Sequence, residues 1–489
     1  MSRIISIRRG HATNSSSSHS IIAFRKSDDF PEGISERHYE YGWEYFVLDT
    51  PEAKARYIVT AYDLHEGHPE YDVIKQKLAD YGVDADRLIV AMRGEEYDRD
   101  YYIDHESVGT GNAPYDIPLS DWIDILMTDE VAILGGNDNT PGPKDEMWDE
   151  GRKSMIDLKR SKILKIGEGS YAFYDPQTGD KFRWSRETLD KSVAPELVDV
   201  KITDKCSYGC AFCYQGSTKE GKHAPLSTVK SIIDELAKAG TFEIAIGGGE
   251  PTEHPQFVEI LKHAISKGVT PNFTTFTDKW INTKVGKGVE EAIKNSKHGI
   301  GIGVSVAGEK DLVKVGNIRD ALSSVRGAQV IAQTVVGVAS AKVTTGLMDM
   351  AIRDGHSVLL LGYKETGRGT DFNRKEVTHE DVHEMISHFL GARTNDWEDV
   401  SLMRHLSVDT AFLSQYGSVL DKLGIDPVLR TSPEGAFSMY VDAVTMRAGP
   451  SSWHPDLMRD LPSPTDIIPM FREMDPIPMD EASTEGPAL

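Results

Sequence analysis

Short apolar runs alternate with amphipathic stretches between residues 195 and 370. Each apolar run has the length of a buried strand, and each amphipathic stretch carries apolar residues three or four positions apart, as on one face of a helix. The predicted strands cover residues 198–203, 242–246, 270–276, 300–306, 329–336 and 357–361. Because successive parallel strands need helical crossovers, the pattern predicts an α/β fold with six strand–helix repeats. A partial (β/α)6 barrel and an open doubly wound sheet both satisfy it.

The helices between these strands are predicted from apolar spacing and from residues typical of helix ends. The first is indicated by the apolar positions Val229, Ile232, Ile233 and Leu236. Gly240 is expected to follow its last turn. Pro255 is expected at the first position of the second helix, which Gly268 would end. Further helices are predicted near residues 289–295, 311–323 and 344–354.

The regions around the repeats differ in composition, which predicts five segments. These are a Ser-rich leader at 1–26, an acidic α+β domain at 27–194, the repeat domain at 195–370, a small α+β extension at 371–460 and a Pro-rich acidic tail at 461–489. The serine-rich leader is interpreted as flexible, or alternatively as a loop in which Arg9 and His19 hold an anion. The acidity of the flanking segments is interpreted chiefly as a means of solubility.

Local patterns predict elements inside the flanking segments. In the N-terminal domain we expect helices at 53–64 and 71–81 and a strand at 87–92. Residues 171–184 combine two aromatic-rich runs with an Asp-Pro…Gly turn, which predicts a hairpin that covers the edge or the bottom of the repeat domain. In the C-terminal extension we expect helices at 379–390 and 412–423 and a strand at 436–446.

Charge and hydropathy limit the partners. The chain has 77 acidic and 54 basic residues and a formal net charge of −23 at pH 7. Such a field repels polyanions, so nucleic acid is an unlikely partner. The chain has no run of 18 apolar residues and no secretory signal, so we expect no membrane partner and a cytoplasmic location.

Cys206, Cys210 and Cys213 are the only cysteines of the 489 residues, in the order C-x-x-x-C-x-x-C. Three thiolates so close together are interpreted as ligands of one metal centre. Mononuclear zinc sites usually combine paired C-x-x-C units or histidines, and no second pair follows. Since a [4Fe–4S] cluster is commonly held by four thiolates, three cysteines suit a cluster that leaves one iron open to a small molecule.

The residues around the cysteines resemble the radical S-adenosylmethionine (radical SAM) family over roughly residues 195–370. Phe212 stands just before the third cysteine, as that family prefers. The segment Gly247-Gly248-Gly249-Glu250-Pro251 is similar to the family's second signature, a turn after the second strand. The resemblance implies a partial (β/α)6 radical SAM barrel. The C-terminal region lacks the cysteines that bind auxiliary clusters in related enzymes.

The resemblance also implies the cofactors, a [4Fe–4S] cluster and S-adenosylmethionine. In this family the reduced cluster cleaves S-adenosylmethionine to a 5′-deoxyadenosyl radical, which abstracts a hydrogen atom from a substrate. The metal ligands would be Cys206, Cys210 and Cys213. The expected cofactor-binding residues are Phe212, Gly248, Gly249, Glu250, Pro251, Thr275 and Ser305. Among them, Glu250 is expected near the methionine ammonium group, and the glycines would let the backbone approach it closely. The alternatives are core packing for Phe212, a plain strand-to-helix turn for the glycines, and strand-end capping for Thr275 and Ser305.

Several other polar residues are candidates for binding, each with a plainer alternative. Lys364 and Arg368, in the glycine-rich segment after the sixth strand, are interpreted as ligands of a substrate carboxylate or phosphate, or as part of a solvated loop. Lys219, Lys222 and His223 are interpreted as contacts of an electron donor. Residues 379–383 fit the zinc pattern H-E-x-x-H, but the capped start of a helix is the favoured interpretation.

The sequence therefore predicts a radical SAM enzyme that acts on a peptide or protein. The same chemistry on a small metabolite or nucleotide is one alternative. Others are a non-catalytic iron–sulfur protein used for electron transfer or sensing, and a zinc-binding interaction protein. The resemblance implies a flavodoxin- or ferredoxin-type reductant as partner, and the acidic N-terminal domain would favour a basic peptide.

Overall fold

The computed structural model describes two long stretches of chain and several shorter ones. The described residues are 3–8, 19–20, 40–41, 46–48, 50–62, 64–93, 102–103, 117–128, 131, 133–135, 161–391, 406–425, 430 and 433–478. The strands are β1 Arg3–Arg8, β2 His19–Ser20, β3 Glu40–Tyr41, β4 Phe46–Leu48, β5 Tyr102–Ile103, β6 Ile133–Gly135, β7 Lys162–Gly167, β8 Ser170–Tyr174, β9 Lys181–Ser185, β10 Leu197–Thr203, β11 Glu243–Gly248, β12 Thr270–Thr275, β13 Ile300–Ser305, β14 Ala328–Val335, β15 Ser357–Leu361, β16 Leu406–Val408, β17 Ser438–Asp442, β18 Arg447–Gly449 and β19 Arg459–Asp460. The helices are α1 Pro51–Ala61, α2 Tyr71–Asp80, α3 Ala85–Arg93, α4 Leu119–Met127, α5 Leu226–Lys238, α6 Phe257–Ser266, α7 Lys284–Lys294, α8 Leu312–Ala321, α9 Ala341–Arg353, α10 His379–Gly391, α11 Thr410–Lys422 and α12 Ile467–Glu473.

Eleven of these strands form the central sheet, in the order β19-β18-β17-β10-β11-β12-β13-β14-β15-β16-β2. The run from β17 to β16 is parallel. Antiparallel strands flank this run on both sides. Strands β10 to β15 coincide with the six predicted strands, and helices α5 to α9 connect them. The predicted α/β fold with helical crossovers is therefore confirmed.

The central sheet is curved. In a flat sheet, β10 and β15 would lie about 24 Å apart, since neighbouring strands are about 4.8 Å apart. Lys364 follows β15, yet its Nζ lies 4.8 Å from the ring centre of Tyr214, in the loop after β10. The hydroxyl of Thr366 also donates a hydrogen bond to the carbonyl of Tyr214. The two ends of the six-strand run thus approach each other, as in a partial barrel and not in an open sheet.

The two faces of the barrel strands differ in chemistry because side chains alternate along a strand. Val198, Val200 and Ile202 of β10 are fully buried in the core beneath the outer helices. Asp199 and Lys201 point to the opposite, inner face. Other polar residues at inner-face positions are Asn272, Thr274, Gln329, Gln333, Tyr440 and Asp442. The barrel therefore has its apolar core on the outside of the sheet and a polar interior.

The antiparallel sheet β1-β9-β8-β7 lies between the N-terminal helices and the barrel. Tyr171 and Trp184 on one face belong to the core formed with α1 to α4. Tyr174 on the other face stacks on Phe242, which precedes β11, at a ring-centre distance of 5.1 Å. Strand β8 is accordingly buried along its whole length.

The β8–β9 hairpin closes the N-terminal end of the barrel. The backbone N–H of Gly299, just before β13, donates a 2.7 Å hydrogen bond to the carbonyl of Pro176 in the hairpin turn. The amide of Gln329 in β14 donates a 2.7 Å bond to the carbonyl of Thr178. The predicted hairpin is confirmed, and it covers the bottom of the barrel.

A buried ion group joins this hairpin to β10. The carboxylate of Glu196 accepts hydrogen bonds from Lys181 at 2.5 Å and from Nε of Arg183 at 2.7 Å. All three side chains are almost completely buried. Burial opposes the charge of Glu196, but Arg183 and Lys181 outweigh it and hold the pKa of this carboxyl below its ordinary value.

We expect Glu196→Gln to destabilise the protein by about 3 kcal/mol, because removing one partner leaves buried cations uncompensated. Urea unfolding at pH 7 measures the loss. The folded-state pKa is lowered, so the stabilisation is present above the pKa of unfolded glutamate, about 4.3, and is lost as the pH falls through the folded-state pKa. Glu168→Gln is the control, since Glu168 is 96% exposed and pairs only with Lys165 in the described structure. Equal stabilities of the two variants would contradict the prediction.

The structure corrects three local predictions. Residues 87–92 belong to helix α3 and not to a strand, because Asp84 Oδ1 accepts the Arg87 N–H and caps a helix. Pro255 is not the first residue of α6, which begins at Phe257 after Gln256 at the N-cap. The predicted strand at 436–446 ends at Asp442, whose carboxylate accepts two backbone N–H groups and turns the chain toward β18.

Strands and helices pair or pack across the predicted segment boundaries at three places. Strand β1 of the leader pairs with β9, and β2 pairs with β16. Strand β17 of the C-terminal extension pairs with β10 of the barrel. Residues 461–478, assigned to a tail, fold onto the core through Ile467 and Phe471 of α12. Residues 479–489 and most of the serine-rich stretch lie outside the described residues.

No helix of the described part of the chain combines the length and hydropathy needed to cross a bilayer.

Candidate functional site

The three cysteines lie on the loop between β10 and α5, at the C-terminal end of the first barrel strand. The Cys206 N–H donates a 2.8 Å hydrogen bond to the carbonyl of Thr218, and the Asp204 N–H donates to the carbonyl of Lys222. These bonds fold the loop back on itself. All three thiols are free and partly buried. The three cysteines thus lie on one compact loop that backbone hydrogen bonds fold back on itself.

The ionisation of the thiols is compatible with binding of an iron–sulfur cluster. Burial raises the pKa of Cys206 and of Cys210, so the thiolates that a metal needs are disfavoured until a cation is bound. No three His, Cys, Asp or Glu side chains of the described residues are grouped as for a single metal ion. In a [4Fe–4S] cluster each thiolate binds its own iron atom, so such convergence on one point is not required.

The glycine turn at 247–251 packs directly against the start of the cysteine loop. The Gly249 N–H donates a 2.7 Å hydrogen bond to the Thr203 carbonyl, and the Glu250 N–H donates a 2.8 Å bond to the Lys205 carbonyl. A Cβ on Gly248 would lie 2.2 Å from the Thr203 oxygen, and one on Gly249 would lie 2.0 Å from the Lys205 oxygen. The glycines are therefore required by this contact between the two motifs. Their approach to a methionine amino group stays a prediction.

Glu250 is buried and joins the ends of β11 and β12. Its carboxylate accepts hydrogen bonds from the Thr252 hydroxyl at 2.6 Å, the Thr275 hydroxyl at 2.9 Å and the Phe276 N–H at 2.9 Å. Burial raises its pKa, against the effect of these donors. Pro251 begins a single 3-10 turn. Glu250 and Thr275 thus form one unit at the C-terminal rim, beside the cysteine loop.

The two remaining predicted site residues lie on different parts of the rim. The ring of Phe212 meets Phe372 edge to face, with ring centres 5.8 Å apart. Ser305 is the last residue of β13 and half-buried, and its carbonyl lies 3.4 Å from Lys314 Nζ. Lys314 also donates to the carbonyl of Phe276. The structure therefore places Phe212 at the sixth-strand segment and Ser305 next to the end of β12.

The segment after β15 is hydrogen-bonded to the cysteine loop through Arg368, a contact that the sequence did not predict. Its guanidinium donates to the carbonyls of Cys210 at 2.9 Å and Ser217 at 2.8 Å, and its backbone N–H donates to the carbonyl of Cys213 at 3.0 Å. Gly367, at φ +58°, lets this segment approach closely. Arg368 thus positions the cysteine loop, so the segment is more than a solvated loop. Its contact with a substrate anion stays a prediction. Sequence spacing gave no signal for these bonds.

We expect Arg368→Lys to lower the iron content of the reconstituted protein by at least half. A charged hydrogen bond contributes about 1.5–3 kcal/mol, and lysine cannot reproduce the two-carbonyl fork. Iron and sulfide analysis after anaerobic reconstitution measures the loss. Arg374→Lys is the control on the same segment, because Arg374 is half-exposed and pairs with Glu365. Identical iron content in both variants would refute the positioning role.

Lys364 is buried inside the barrel and not displayed at its mouth. Its Nζ lies 3.7 Å from Oδ2 of Asp409, which caps α11 and is completely buried. Burial opposes the charge of Lys364, but neighbouring groups, among them Tyr214 and Asp409, raise its pKa. A carboxylate therefore already faces Lys364 in the described structure, and its contact with a substrate anion stays a prediction.

The structure also locates the two lysines of the cysteine loop and the H-E-x-x-H segment. Lys219 and Lys222 are exposed on the cysteine loop, so their contact with an electron donor stays a prediction. In the H-E-x-x-H segment, Asp381 accepts the Thr378 N–H at 2.8 Å, and the Thr378 hydroxyl accepts the Asp381 N–H. This reciprocal bonding confirms the interpretation as a capped helix start.

Known proteins match the part of the chain that carries these motifs. Residues 200–323 match the family model described as the Radical SAM superfamily. PqqA peptide cyclase of Bradyrhizobium diazoefficiens is 32% identical over 92 residues, which are 18% of this chain and 24% of that protein. Mycofactocin maturase MftC of Mycobacterium tuberculosis is 40% identical over 86 residues, which are 17% of this chain and 21% of that protein. The chain spans about a quarter of the length of these relatives.

Similarity to solved structures is weaker. Streptococcus suis SuiB bound to precursor peptide SuiA superimposes with a TM-score of 0.44 at 13% identity, over 57% of this chain and 65% of that chain. The residues that match the radical SAM model include all three cysteines and the glycine turn. The resemblance recognised from these motifs is thereby confirmed for residues 200–323. The expected cofactors, a [4Fe–4S] cluster and S-adenosylmethionine, are those of this family.

Proposed function

We propose that the protein is a radical SAM enzyme in which Cys206, Cys210 and Cys213 hold the cluster. The observation that carries the proposal is the direct backbone bonding of the cysteine loop to the glycine turn, through Gly249 and Glu250. Two motifs 35 residues apart thus form one site at the C-terminal rim of a curved parallel sheet, where barrel enzymes hold their reacting groups. When bound, the cluster and S-adenosylmethionine supply a 5′-deoxyadenosyl radical that abstracts hydrogen from a substrate.

In this proposal the protein binds and orients its cofactors and shields them. Glu250 lies beside the ammonium group of S-adenosylmethionine, with its carboxylate fixed by Thr252, Thr275 and Phe276. The remaining cofactor contacts come from Phe212, Gly248, Gly249, Pro251, Thr275 and Ser305. The barrel wall and the hairpin beneath it keep water and stray C–H bonds away from the reacting carbon. Exposed Lys219 and Lys222 receive a flavodoxin- or ferredoxin-type reductant in the cytoplasm.

We further propose a peptide or protein as the substrate. The matched relatives include a peptide cyclase, and its alignment reaches 32% identity. The polar inner face supports this choice, because a partly exposed hydroxyl such as that of Thr274 is suited to hydrogen bonding with a peptide backbone. Asn272 bonds to Glu243 and to the Gly301 N–H. The interior is therefore a rigid polar surface and not an apolar pocket.

A nucleotide is the second candidate substrate. The S-adenosylmethionine-dependent nucleotide dehydratase of Selenomonas ruminantium is 32% identical over 89 residues, which are 18% of this chain and 32% of that protein. The charges of the inner face disfavour this alternative. Lys201 is paired with Asp204 and Asp442, and Lys364 faces Asp409, so a phosphate would meet carboxylates beside both lysines.

Formation of 5′-deoxyadenosine from S-adenosylmethionine tests the proposed activity. The anaerobically reconstituted protein is reduced with dithionite and the product is quantified by chromatography. We expect slow formation without substrate and faster formation with a peptide substrate. A protein with a complete cluster that forms no 5′-deoxyadenosine would be a non-catalytic iron–sulfur protein. A colourless protein that holds zinc instead of iron would exclude the chemistry altogether.

A further inference from the structure

A cluster of buried acids lies inside the barrel on its open side, where β10 and β17 face the ends of β15 and β16. Asp199, Asp409 and Glu434 are each at most 7% exposed. We call these three carboxylates, with Lys364, the lumen acidic cluster. All three carboxylates act on the charge of Lys364, so the four side chains form one electrostatic unit. None of them is needed for the contacts described for the cofactor site.

Two carboxylate oxygens of this cluster are buried without a hydrogen-bond partner among the described residues. Asp409 Oδ1 accepts the N–H groups of Gly362 and Phe412, both at 2.8 Å, but its Oδ2 has only Lys364 at 3.7 Å. Glu434 Oε1 accepts the Thr410 hydroxyl, whereas its Oε2 has no donor. A buried oxygen without a donor loses its hydration and regains nothing, so these two atoms mark an incomplete site.

Among the described residues, one ammonium group, that of Lys364, faces the two carboxylates of Asp409 and Glu434. The inner-face lysine Lys201 is instead paired with Asp204 and Asp442. Burial raises the pKa of Asp409 to about 7, although Lys364 lies 3.7 Å from its Oδ2. An uncompensated buried charge is strongly destabilising, so a further cation in this place would be bound favourably.

The cluster lies next to the loop that carries the thiols. Lys364 Nζ sits over the ring of Tyr214, the residue after Cys213. The Gln215 amide donates a 3.2 Å hydrogen bond to the Tyr440 hydroxyl. Tyr440 is paired in register with Asp199 across β10 and β17. A group bound at the cluster would therefore lie beside the proposed iron site, which is where a substrate must be held.

We propose that the lumen acidic cluster is a substrate subsite for a cationic group, namely the ammonium of a lysine side chain or the guanidinium of an arginine in the peptide substrate. This inference rests on the proposed function and names the feature of the peptide that is recognised. An ammonium or guanidinium brings several N–H donors, which supply both missing charge and missing hydrogen bonds to Asp409 Oδ2 and Glu434 Oε2. A neutral polar side chain supplies hydrogen bonds but no charge, and an aliphatic or ionised acidic side chain supplies neither.

The test compares peptides that differ only in this group. Acetyl-Ala-Ala-X-Ala-Ala-amides with X as lysine, arginine, norleucine or glutamate are bound to the anaerobically reconstituted protein with S-adenosylmethionine, and Kd is measured by equilibrium dialysis. Norleucine is matched to lysine without the ammonium group. We expect the lysine or the arginine peptide to bind at least 10-fold more tightly than norleucine, and glutamate to bind least well. Equal binding of the lysine, arginine and norleucine peptides would overturn the inference.

Variants locate the preference within the structure. The double variant Asp409→Asn with Glu434→Gln is expected to abolish the difference between lysine and norleucine. Lys364→Met, which removes the competing ammonium, is expected to enlarge it. Asp456→Asn, on an exposed turn, is the matched control and should retain the wild-type preference. An unchanged preference in both cluster variants would refute the subsite, and iron content with thermal midpoint shows that each variant is folded.

The failure of this inference is distinguishable from failure of the proposed function. The wild-type protein is assayed in parallel for 5′-deoxyadenosine without peptide. If the product forms and no cationic preference is found, the subsite is wrong and the enzyme assignment stands. If a fully loaded cluster yields no product, the enzyme assignment fails whatever the peptides do.

Discussion

Cys210→Ala is expected to lose nearly all cluster iron and all detectable 5′-deoxyadenosine. The three thiols share one short loop, and burial raises the pKa of Cys206 and of Cys210. Removal of the Cys210 thiol would leave a second iron atom of the cluster without a protein ligand. Iron and sulfide analysis, the visible absorbance of the reconstituted protein and the product assay measure the effect. Cys206→Ala and Cys213→Ala should behave in the same way, since the three positions are equivalent as ligands.

The matched control for the cysteine variants is Glu220→Gln. Glu220 is exposed on the same loop, so it reports general disturbance of the loop without removal of a sulfur atom. We expect this variant to bind iron as the wild type does. A Cys210→Ala protein with full iron content and normal product formation would disprove the proposed centre.

Gly249→Ala is expected to slow 5′-deoxyadenosine formation by about 100-fold, because a displacement of about 1 Å in a reacting site can have an effect of that order. The new methyl group would lie 2.0 Å from the Lys205 carbonyl oxygen, which is backbone and cannot rotate away. The turn must therefore move away from the cysteine loop. The adjoining Gly249–Thr203 and Glu250–Lys205 hydrogen bonds would be lost with that movement. Product formation and the Kd of S-adenosylmethionine measure the result.

Gly346→Ala gives the matched comparison. Gly346 lies inside α9, and a Cβ there meets nothing within 4 Å. Alanine in a helix interior is more favourable than glycine by roughly 0.5–1 kcal/mol. We expect this variant to be slightly more stable than the wild type and equally active. Wild-type activity in Gly249→Ala would show that the contact between the two motifs is dispensable.

Local sequence patterns predicted the strands and the hairpin because burial is regular there. The alternation at 198–202 follows a strand with one apolar face, and the spacing of Val229, Ile232 and Leu236 follows a helix with one buried side. The error at 87–92 has a local cause. Apolar and β-branched residues favoured a strand, but capping by Asp84 and tertiary packing of Leu88 produce a helix.

The sequence predicted those parts of the candidate site that consist of neighbouring residues in the chain. The cysteines and the glycine turn were located by spacing and by family resemblance. The contacts of Arg368 and the place of Asp409 were not, because these residues reach the cysteine loop only after the sheet has curved. Glu250 illustrates an intermediate case. Its presence at the rim was expected, but its bonds to Thr275 and Phe276 depend on the next strand and have no signature in the sequence.

The hairpin beneath the barrel has a kinetic consequence. Its turn is hydrogen-bonded to Gly299 and Gln329, so the hairpin obstructs entry of molecules at the N-terminal end of the barrel. Molecules that reach the interior must enter from the rim or the open flank, past the loop that carries the thiols. The molecule that binds first therefore narrows the path by which the second molecule enters the barrel interior. We expect ordered turnover, with the sulfonium donor entering ahead of the larger reactant and its fragments departing last.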